Sequence, residues 1–545
     1  MLFSSEPSVR RHEADVLVLG SGAAGCGAAL AAGESGASVL LLDKGRLESS
    51  GCLGGGNDHF LAVLETGEPH DAIEDLIGEY ATPSSGTSAA LVASWGRAMR
   101  PMMELLESLG VEFIHRPDGS YLRTGGFGEP GAWYVNIARG YRTKRLLAGE
   151  IRRRGVQVLD HVMVLRLLES RGRIIGAVAY NVLDGVLHVA RARVVVLALG
   201  NFANRAVPNS TGNPFNAWHS PFNTGAQYVL AYRAGARLLN LDLRQHATLI
   251  PKGFGCAGMN GIMDTGAHEL NAEGRRFLAG YHPLGERCPR HFQIRGTDVE
   301  RVEGRAPFFM DLRHADKEAL RHLNDTLMPG DKATWPDWIA QTGLDLRRDL
   351  MEVEFSEIEF GGLVEVDERF ATGVPGLYNA CVFYSFSGAL CGGYAAGEHA
   401  AQGMADEMPE WPDEDFEAER ERVLRPLRVR HGVTQREFEA AVRQVMSCYM
   451  GMVRNEPGMK LALEKLERIG ASASRVMAEG RHELMLAHES MFLLESSRLA
   501  VLATIERRES GRSIYRRSDY PELNPAMNRP LAVWNENGTP CTGWI

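Results

Sequence analysis

The sequence predicts an α/β protein with three parts: a doubly wound parallel-sheet domain, an α+β domain inserted into it, and a helical C-terminal domain. An apolar strand, a glycine-rich turn and a small-residue helix open the chain. Short apolar pieces with scattered His and Arg follow at about 245–355, and helix-forming residues with a 3.6-residue period dominate 416–512. The predicted boundaries are residues 1–244 and 356–408, 245–355, and 409–545, respectively.

Length and charge restrict the possible classes of function. The chain has 545 residues and a net charge of −10, so it can bury large cores but lacks the cationic balance that nucleic-acid binding needs. No apolar run approaches the ~18 residues that span a bilayer, and no apolar export signal precedes the first strand. We therefore expect a cytoplasmic protein without membrane insertion. The eight cysteines form no CxxC pair, so we expect neither a metal site nor an iron–sulfur cluster in this chain.

The opening unit has the pattern of a dinucleotide site. An apolar strand at 15–19 leads directly into G-x-G-x-x-G at 20–25, and a second apolar strand ends in an acid. The first glycine permits a tight turn, the second lets a pyrophosphate approach, and the third lets the helix pack on the strand. The helix N-terminus attracts phosphate, and the acid accepts ribose hydroxyls. The predicted binding residues are Gly20, Gly22, Ala23, Ala24, Gly25, Asp43 and Lys44.

Later segments favour FAD over NAD. A backbone-exposing glycine loop occupies 49–57, a late strand at 194–200 ends in Ala-Leu-Gly, and 376–397 has the pattern of a second approach to the same cofactor. NAD domains do not usually distribute their contacts so widely, so we predict a Rossmann-like FAD-binding domain. The further predicted cofactor residues are Ser50, Gly51, Gly55, Gly56, Asn57, Val162, Ala198, Gly200, Asn223, Gly225, Ser387, Gly388 and Leu390.

With these motifs the chain resembles the flavoprotein subunits of the fumarate reductase/succinate dehydrogenase superfamily. The resemblance also rests on Asp311-Leu312-Arg313-His314 and on the tail at 506–521, while 217–223 is most similar to the adenylylsulfate reductase flavoprotein branch. It implies that the inserted domain caps the flavin and that substrate binds between the two. It further implies that electrons pass to or from a small ferredoxin-like [4Fe-4S] partner subunit.

Several positions depart from the family pattern. Dehydrogenases of this family attach FAD through a histidine where this chain has Gly51, so we expect non-covalent FAD. His246 matches the substrate-binding histidine, and Arg305 lies within one residue of the proton-delivering arginine's place. Glu357 replaces a second histidine, and 385–390 lacks an arginine, so the dicarboxylate clamp is incomplete. The alternatives are a surface arginine for Arg305, and a base, a cation-binding group or a solvated carboxylate for Glu357.

Three further side chains are candidates for the chemistry. His59, in the glycine loop, is a proton relay or a support for the loop. His219 and the family-matched His246 are each an acid, a base, a hydrogen-bond donor or a structural histidine. Trp218 matches an aromatic residue of the adenylylsulfate reductase branch and either stacks on a ring substrate or packs in the core. The cations expected in that branch are absent, because the corresponding positions are Leu249 and, nearby, Phe383.

The resulting hypothesis is an FAD-dependent oxidoreductase that moves two electrons, as hydride, between flavin and a small organic substrate. That substrate is uncharged, monoanionic or cationic, and the electrons are exchanged with the ferredoxin-like partner. One alternative is a fumarate reductase/succinate dehydrogenase-like or adenylylsulfate reductase-like activity, or an oxidase that acts alone. Another, from a different class, is a flavin-binding assembly protein whose catalytic residues have decayed.

Overall fold

The computed structural model describes residues 9–125, 129–206, 214–215, 219–246, 249–255, 262–263, 265–355 and 359–545. It contains an α/β domain, a capping region with its own mixed structure and a helical C-terminal region, which confirms the predicted fold class. In these ranges no helix is long and apolar enough to cross a bilayer.

A seven-stranded sheet organises the first domain. In order of pairing its strands are Gln157–Leu159, Val39–Leu42, Val9–Leu19, Leu187–Leu197, Arg173–Asn181 and Val162–Ser170, and Leu377–Asn379 pairs with the end of Leu187–Leu197. Val9–Leu19 is parallel to both neighbours, with Val16 opposite Val39 and Val194. These strands are rich in Val and Leu because helices cover both faces of a parallel sheet. Four consecutive strands between residues 157 and 197 therefore belong to this one sheet.

Two helices pack closely on one another beside this sheet, Ala23–Glu34 and Phe386–Gln402. A Cβ atom at Gly393 would lie 2.1 Å from the carbonyl oxygen of Ala24, so only glycine permits this approach. The other helical segments of the domain are Cys52–Gly55, Ile73–Tyr80, Ala89–Ser108, Gly140–Arg142, Thr143–Arg153 and Ala226–Arg233. A small antiparallel sheet beside them consists of His59–Leu61, Tyr134–Ala138, Glu112–Phe113 and Arg123–Thr124.

The capping region forms around an antiparallel sheet and a separate hydrophobic core. Its strands, in order of pairing, are Leu249–Pro251, Met351–Phe355, Phe308–Asp311 and His268–Leu270. Its helical segments are Leu278–Gly280, Gly285–Arg287, Arg290–Val302, Lys317–His322, the π-helical turn Leu323–Leu327, Met328–Asp331 and Trp335–Thr342. Phe308, Met310 and Trp335 are buried in its core. The strand that leads into this region, Leu238–His246, passes through the predicted boundary at residue 244.

The C-terminal region contains helices Phe416–Leu424, Gln435–Tyr449, Glu456–Ala471 and Arg481–Glu506, with 3₁₀ turns at Arg425–Leu427, Ala473–Arg475 and Pro525–Met527. Short strand pairs join Val433–Thr434 to Val476–Met477 and Val453–Arg454 to Arg516–Arg517. Its last residues form a hairpin, Leu531–Glu536 and Thr539–Trp544, which extends the sheet of Phe202–Ala203, Glu359–Val364 and Leu238–His246. The end of the chain is therefore joined to the first domain by backbone pairing.

Candidate functional site

A cavity of about 1190 Å³ lies at the carboxyl ends of the parallel strands, where open α/β sheets bind their ligands. Residues at or just after the ends of three of these strands line it, namely Gly20 with 22–24, 42–45 and 198–202. The capping region contributes Pro289, Arg290, His291 and Lys332, and the C-terminal region contributes His482, Met485 and Ile514. All three parts of the chain therefore meet at one cavity.

The glycine turn has the geometry that its pattern predicts. Gly20 has a φ of +99°, and a Cβ atom there would lie 2.3 Å from the carbonyl oxygen of Ala198. A Cβ atom at Gly25 would lie 1.8 Å from the carbonyl oxygen of Gly20. Gly22 lines the cavity, whereas Gly25 faces the strand. The turn therefore exposes backbone to the cavity because the helix packs closely behind it.

Asp43 joins three segments of the cavity wall. Its Oδ2 accepts hydrogen bonds from the Ser21 amide at 2.7 Å and from the Ser21 hydroxyl at 2.8 Å. Its Oδ1 accepts from the Gly45 amide at 2.7 Å and from the Ser50 hydroxyl at 2.6 Å. These four bonds occupy the acceptor sites of a carboxylate. In this structure Asp43 therefore organises the turn, the strand end and the glycine loop.

The glycine loop lies directly on the fingerprint turn. Gly51 has a φ of +76°, and a Cβ atom there would lie 2.7 Å from the Cα atom of Gly22. Further along, the side-chain oxygen of Asn57 accepts a hydrogen bond of 2.9 Å from the His59 amide. The loop therefore presents backbone to the cavity and fixes the start of the strand that carries His59.

The structure brings most of the predicted cofactor residues to the cavity. Those that line it are Gly20, Gly22, Ala23, Ala24, Asp43, Lys44, Ser50, Gly51, Gly55, Gly56, Asn57, Val162, Ala198, Gly200 and Asn223. Those that do not are Gly25, Gly225, Ser387, Gly388 and Leu390. Ser387 lies one layer behind the wall, where its hydroxyl accepts a hydrogen bond of 3.2 Å from the indole N–H of Trp95.

Two of the predicted catalytic histidines line the cavity. His59 Nδ1 lies 2.6 Å from Asp58 Oδ1, and the His59 ring lies 4.4 Å from the ring of Tyr134. The His219 ring stacks on Phe202 at 5.5 Å. Trp218, Glu357 and the side chain of His246 lie outside the described residues, so their roles stay predictions.

Arg305 is not at the cavity, which corrects its expected position. Its guanidinium donates to both carboxylate oxygens of Glu300, at 2.6 and 2.7 Å, and pairs with Glu303. The arginine that lines the cavity is Arg290, the first residue of helix Arg290–Val302. Arg305 follows the end of that helix, where the two glutamates form ion pairs with it and neutralise its charge. Sequence spacing alone did not show which arginine of this arginine-rich segment lies at the cavity.

Lys144 is a buried cation that sequence reasoning missed. It is only 1% exposed, and its ammonium donates to the carbonyl oxygen of Ser21 and to Cys26 Sγ, the latter at 3.1 Å. Ser21 lies between the first two glycines of the turn. Lys144 therefore places a positive charge directly beneath the backbone of the glycine turn, in a position that no local motif marks.

An acidic and aromatic group of residues forms another part of the lining that was missed. Glu129 Oε1 accepts a hydrogen bond of 3.2 Å from the Tyr80 hydroxyl. Burial raises the pKa of Glu129 to about 7, although the phenols of Tyr134 and Tyr80 and the charge of His59 act in the opposite direction. Burial also raises the pKa of the more exposed Glu79. This part of the cavity therefore contains an acid that titrates near neutral pH.

A buried charge network connects the cavity wall to the C-terminal helix Arg481–Glu506. Lys44 Nζ lies 2.6 Å from Glu489 Oε1, and Arg205 lies 2.8 Å from Glu489 Oε2. Arg205 also donates two hydrogen bonds of 3.0 Å to Glu439. Burial alone would raise the pKa of Glu489, but Lys44 and Arg205 hold it below its usual value. The charge of Lys44 is therefore shared with the C-terminal region.

Two family models match the chain. Residues 15–405 match the model described as an FAD binding domain, and residues 439–540 match the fumarate reductase flavoprotein C-terminal model. Among curated relatives, one subunit of the fumarate reductase (CoM/CoB) of Methanothermobacter marburgensis is 25% identical, over 96% of this chain and 97% of that protein. The L-aspartate oxidase of Streptomyces coelicolor is 26% identical, over 95% and 91%, respectively.

Solved structures show the same fold. The adenylylsulfate reductase of Archaeoglobus fulgidus superposes with a TM-score of 0.86 at 21% identity, covering 98% of this chain and 96% of that chain. The E. coli quinol fumarate reductase flavoprotein superposes with a TM-score of 0.83 at 20% identity, covering 98% and 97%. These structures share the fold over nearly the whole length of the chain.

Proposed function

The chain belongs to the fumarate reductase/succinate dehydrogenase family of FAD-dependent oxidoreductases, and from that premise we propose that it transfers two electrons, as hydride, between non-covalently bound FAD and a small organic substrate. The observation that carries this proposal is the cavity, in which the dinucleotide-binding turn, the capping region and the C-terminal helix share one wall. Bound FAD would supply the redox chemistry, and the protein would bind, orient and exchange protons.

The donor set of the cavity fits FAD. The glycine turn and the start of helix Ala23–Glu34 offer backbone N–H groups to a pyrophosphate, and Lys144 adds a fixed positive charge beneath them. The glycine loop extends this backbone surface along the cavity. Non-covalent attachment is supported by Gly51, which has no side chain to form the bond and no room for one.

The capping side of the cavity is the proposed substrate site. Two cations line it, Arg290 and Lys332, but two carboxyl groups, Glu79 and Glu129, line the same cavity. This mixed charge opposes a doubly charged dicarboxylate, because carboxylates repel other carboxylates at short range. The lining also includes aromatic rings, among them Tyr134. An uncharged or singly charged organic substrate fits this composition best.

Anaerobic reduction of the flavin by a panel of cellular metabolites tests the proposal. A metabolite that bleaches the flavin absorbance identifies a substrate and rules out a decayed assembly protein. If dithionite reduces the flavin but no metabolite either reduces the oxidised flavin or reoxidises the reduced flavin without air, the proposed oxidoreductase function is refuted.

Arg290→Met should slow flavin reduction by that metabolite about 10²-fold, because it removes a cation that faces the cavity. Arg305→Met is the matched control. We expect a rate close to that of the wild type, because Arg305 forms ion pairs with two glutamates outside the cavity. Stopped-flow absorbance measures both rates. Equal loss in both variants, or loss only in Arg305→Met, would show that Arg290 has been assigned wrongly.

Lys144→Met should weaken FAD binding about tenfold or more, because a hydrogen bond from a charged group to the turn is lost along with its charge. Titration of the apoprotein with FAD, followed by flavin fluorescence, gives the dissociation constant. Arg145→Met, an exposed neighbour on the same helix, should leave it unchanged. An unchanged dissociation constant for Lys144→Met would mean that the buried cation does not act on FAD.

The ferredoxin-like [4Fe-4S] partner is the second part of the proposal. It is supported by two relatives, a fumarate reductase and an adenylylsulfate reductase protein, whose names describe each as one subunit of its enzyme. The similarity to an L-aspartate oxidase favours the alternative of an enzyme that acts alone. Slow reoxidation of the reduced flavin by air, accelerated by an added two-cluster ferredoxin, supports the partner. Rapid reoxidation by air alone supports the oxidase.

A further inference from the structure

Glu129 directs a carboxyl group into the cavity at the edge of the small sheet that carries His59 and Tyr134. Its Oε1 accepts the hydrogen bond from Tyr80, whereas its Oε2 is buried and has no hydrogen-bond partner among the described residues. A buried oxygen without a partner is costly unless it is protonated or meets a ligand. The carboxyl group is thus placed to hold a proton or to bind a donor on a ligand.

The groups around the Glu129 carboxyl have opposing effects on its ionisation. Burial raises the pKa values of Tyr80 and Tyr134 well above the usual value, so both phenols remain neutral hydrogen-bond donors. Glu79, on the same helix as Tyr80, opposes ionisation of Glu129, and His59 favours it.

Arg290 faces both phenols from the capping region, where its charge lowers their pKa values against the effect of burial. Lys332 is the other capping-region cation on the cavity wall. The acid therefore lies at the boundary between the FAD-binding domain and the capping region, where the proposed substrate binds.

We propose that Glu129 is the proton carrier of this cavity: its carboxyl group exchanges one proton with a substrate bound beside it, while Tyr80 and Tyr134 hold the carboxyl in place. The inference rests on the proposed function, because the proton goes to a substrate at the capping side. In reduction, Glu129 gives one proton to the substrate and becomes a carboxylate, and water later returns a proton. In oxidation the carboxylate takes the substrate's proton. No electrons move in this step, since the hydride passes to or from FAD.

Glu129 fits this role better than its neighbours. A proton carrier works best when its pKa lies near the working pH, as the pKa of about 7 for this carboxyl does. His59 Nδ1 is already occupied by Asp58 at 2.6 Å. Glu79 is more exposed and is not hydrogen-bonded to either phenol in the described contacts.

Infrared difference spectroscopy of the FAD-loaded enzyme tests the inference without a substrate. Burial also raises the pKa of Glu269, in the capping region, to about 7, so each protein in this test carries Glu269→Gln. In that background we expect the carbonyl band of a protonated carboxylic acid to disappear with a midpoint near pH 7, to be absent when Glu129→Gln is added, and to persist when Glu79→Gln is added instead. Tyr134→Phe should raise the midpoint, because a group that favours the carboxylate is removed. A band titrating near pH 7 that persists when Glu129→Gln is added to that background would overturn the assignment.

The kinetic counterpart uses the metabolite that reduces the wild-type flavin. Glu129→Gln should slow flavin reduction about 10²-fold and remove the pH dependence near neutrality, and Glu129→Asp should restore part of both. Unchanged rates and an unchanged pH profile in Glu129→Gln, with full FAD content, would overturn the inference. If no metabolite reduces or reoxidises the flavin, the proposed function is refuted, whereas the infrared titration still decides whether Glu129 carries the proton.

Discussion

Glu489→Gln should cost about 1–3 kcal/mol of stability, because Lys44 and the fully buried Arg205 lose their shared counter-charge while Arg205 keeps its pair with Glu439. Glu489 lies on the C-terminal helix, whereas Lys44 and Arg205 belong to the FAD-binding domain. Loss of this contact should loosen the helix from the cavity wall, where His482 and Met485 also lie. The variant should therefore unfold at a lower temperature and retain less FAD.

Glu495→Gln is the matched control for this effect. Glu495 lies on the same helix and pairs with Arg233, but the Arg233 side chain is 51% exposed. Exposed pairs contribute about 0–1 kcal/mol, so this variant should unfold close to the wild type. Thermal unfolding of both variants, with and without added FAD, measures the difference. A Glu489→Gln variant as stable as Glu495→Gln would show that the buried network does not hold the C-terminal region.

Gly25→Val should abolish FAD binding. The first side-chain carbon would lie 1.8 Å from the carbonyl oxygen of Gly20, and that oxygen is backbone with no freedom to move aside. The helix would have to move away from the strand and open the turn that presents its N–H groups to phosphate. We expect a colourless protein that gains no thermal stability from FAD.

Gly33→Ala provides the control for that substitution. Gly33 lies on the same helix, and a Cβ atom there meets nothing within 4 Å. It should bind FAD as the wild type does and be slightly stabilised, because alanine favours helix over glycine. A yellow Gly25→Val protein with wild-type FAD content would contradict the close packing behind the turn.

The FAD-binding fold was predictable because its signals are local. Gly20, Gly22 and Gly25 have their roles fixed by spacing within one turn, and apolar strands flank them. The contacts missed by sequence reasoning join residues that are far apart in the chain. Lys44 and Glu489 are 445 positions apart and meet only in the folded protein. No periodicity indicates such a pair.

The substrate side was predicted less well for a similar reason. Arg290 begins helix Arg290–Val302 and Arg305 follows its end, and only the packing of this segment decides which of them faces the cavity. Glu129 follows a glycine-rich stretch without a motif, so its burial beside Tyr80 and Tyr134 could not be read from the sequence. Local patterns identify where a cofactor binds, whereas the chemistry beside it depends on tertiary contacts.

Acid denaturation of the purified protein tests the central claim most directly, because it reports both the cofactor and its attachment. We expect a yellow protein with one FAD per chain. When acid precipitates the protein, all of the FAD should appear in the supernatant. A flavin that stays with the precipitate would contradict non-covalent binding at the glycine loop. A colourless protein that gains no thermal stability from added FAD would contradict the assignment of the cavity to FAD.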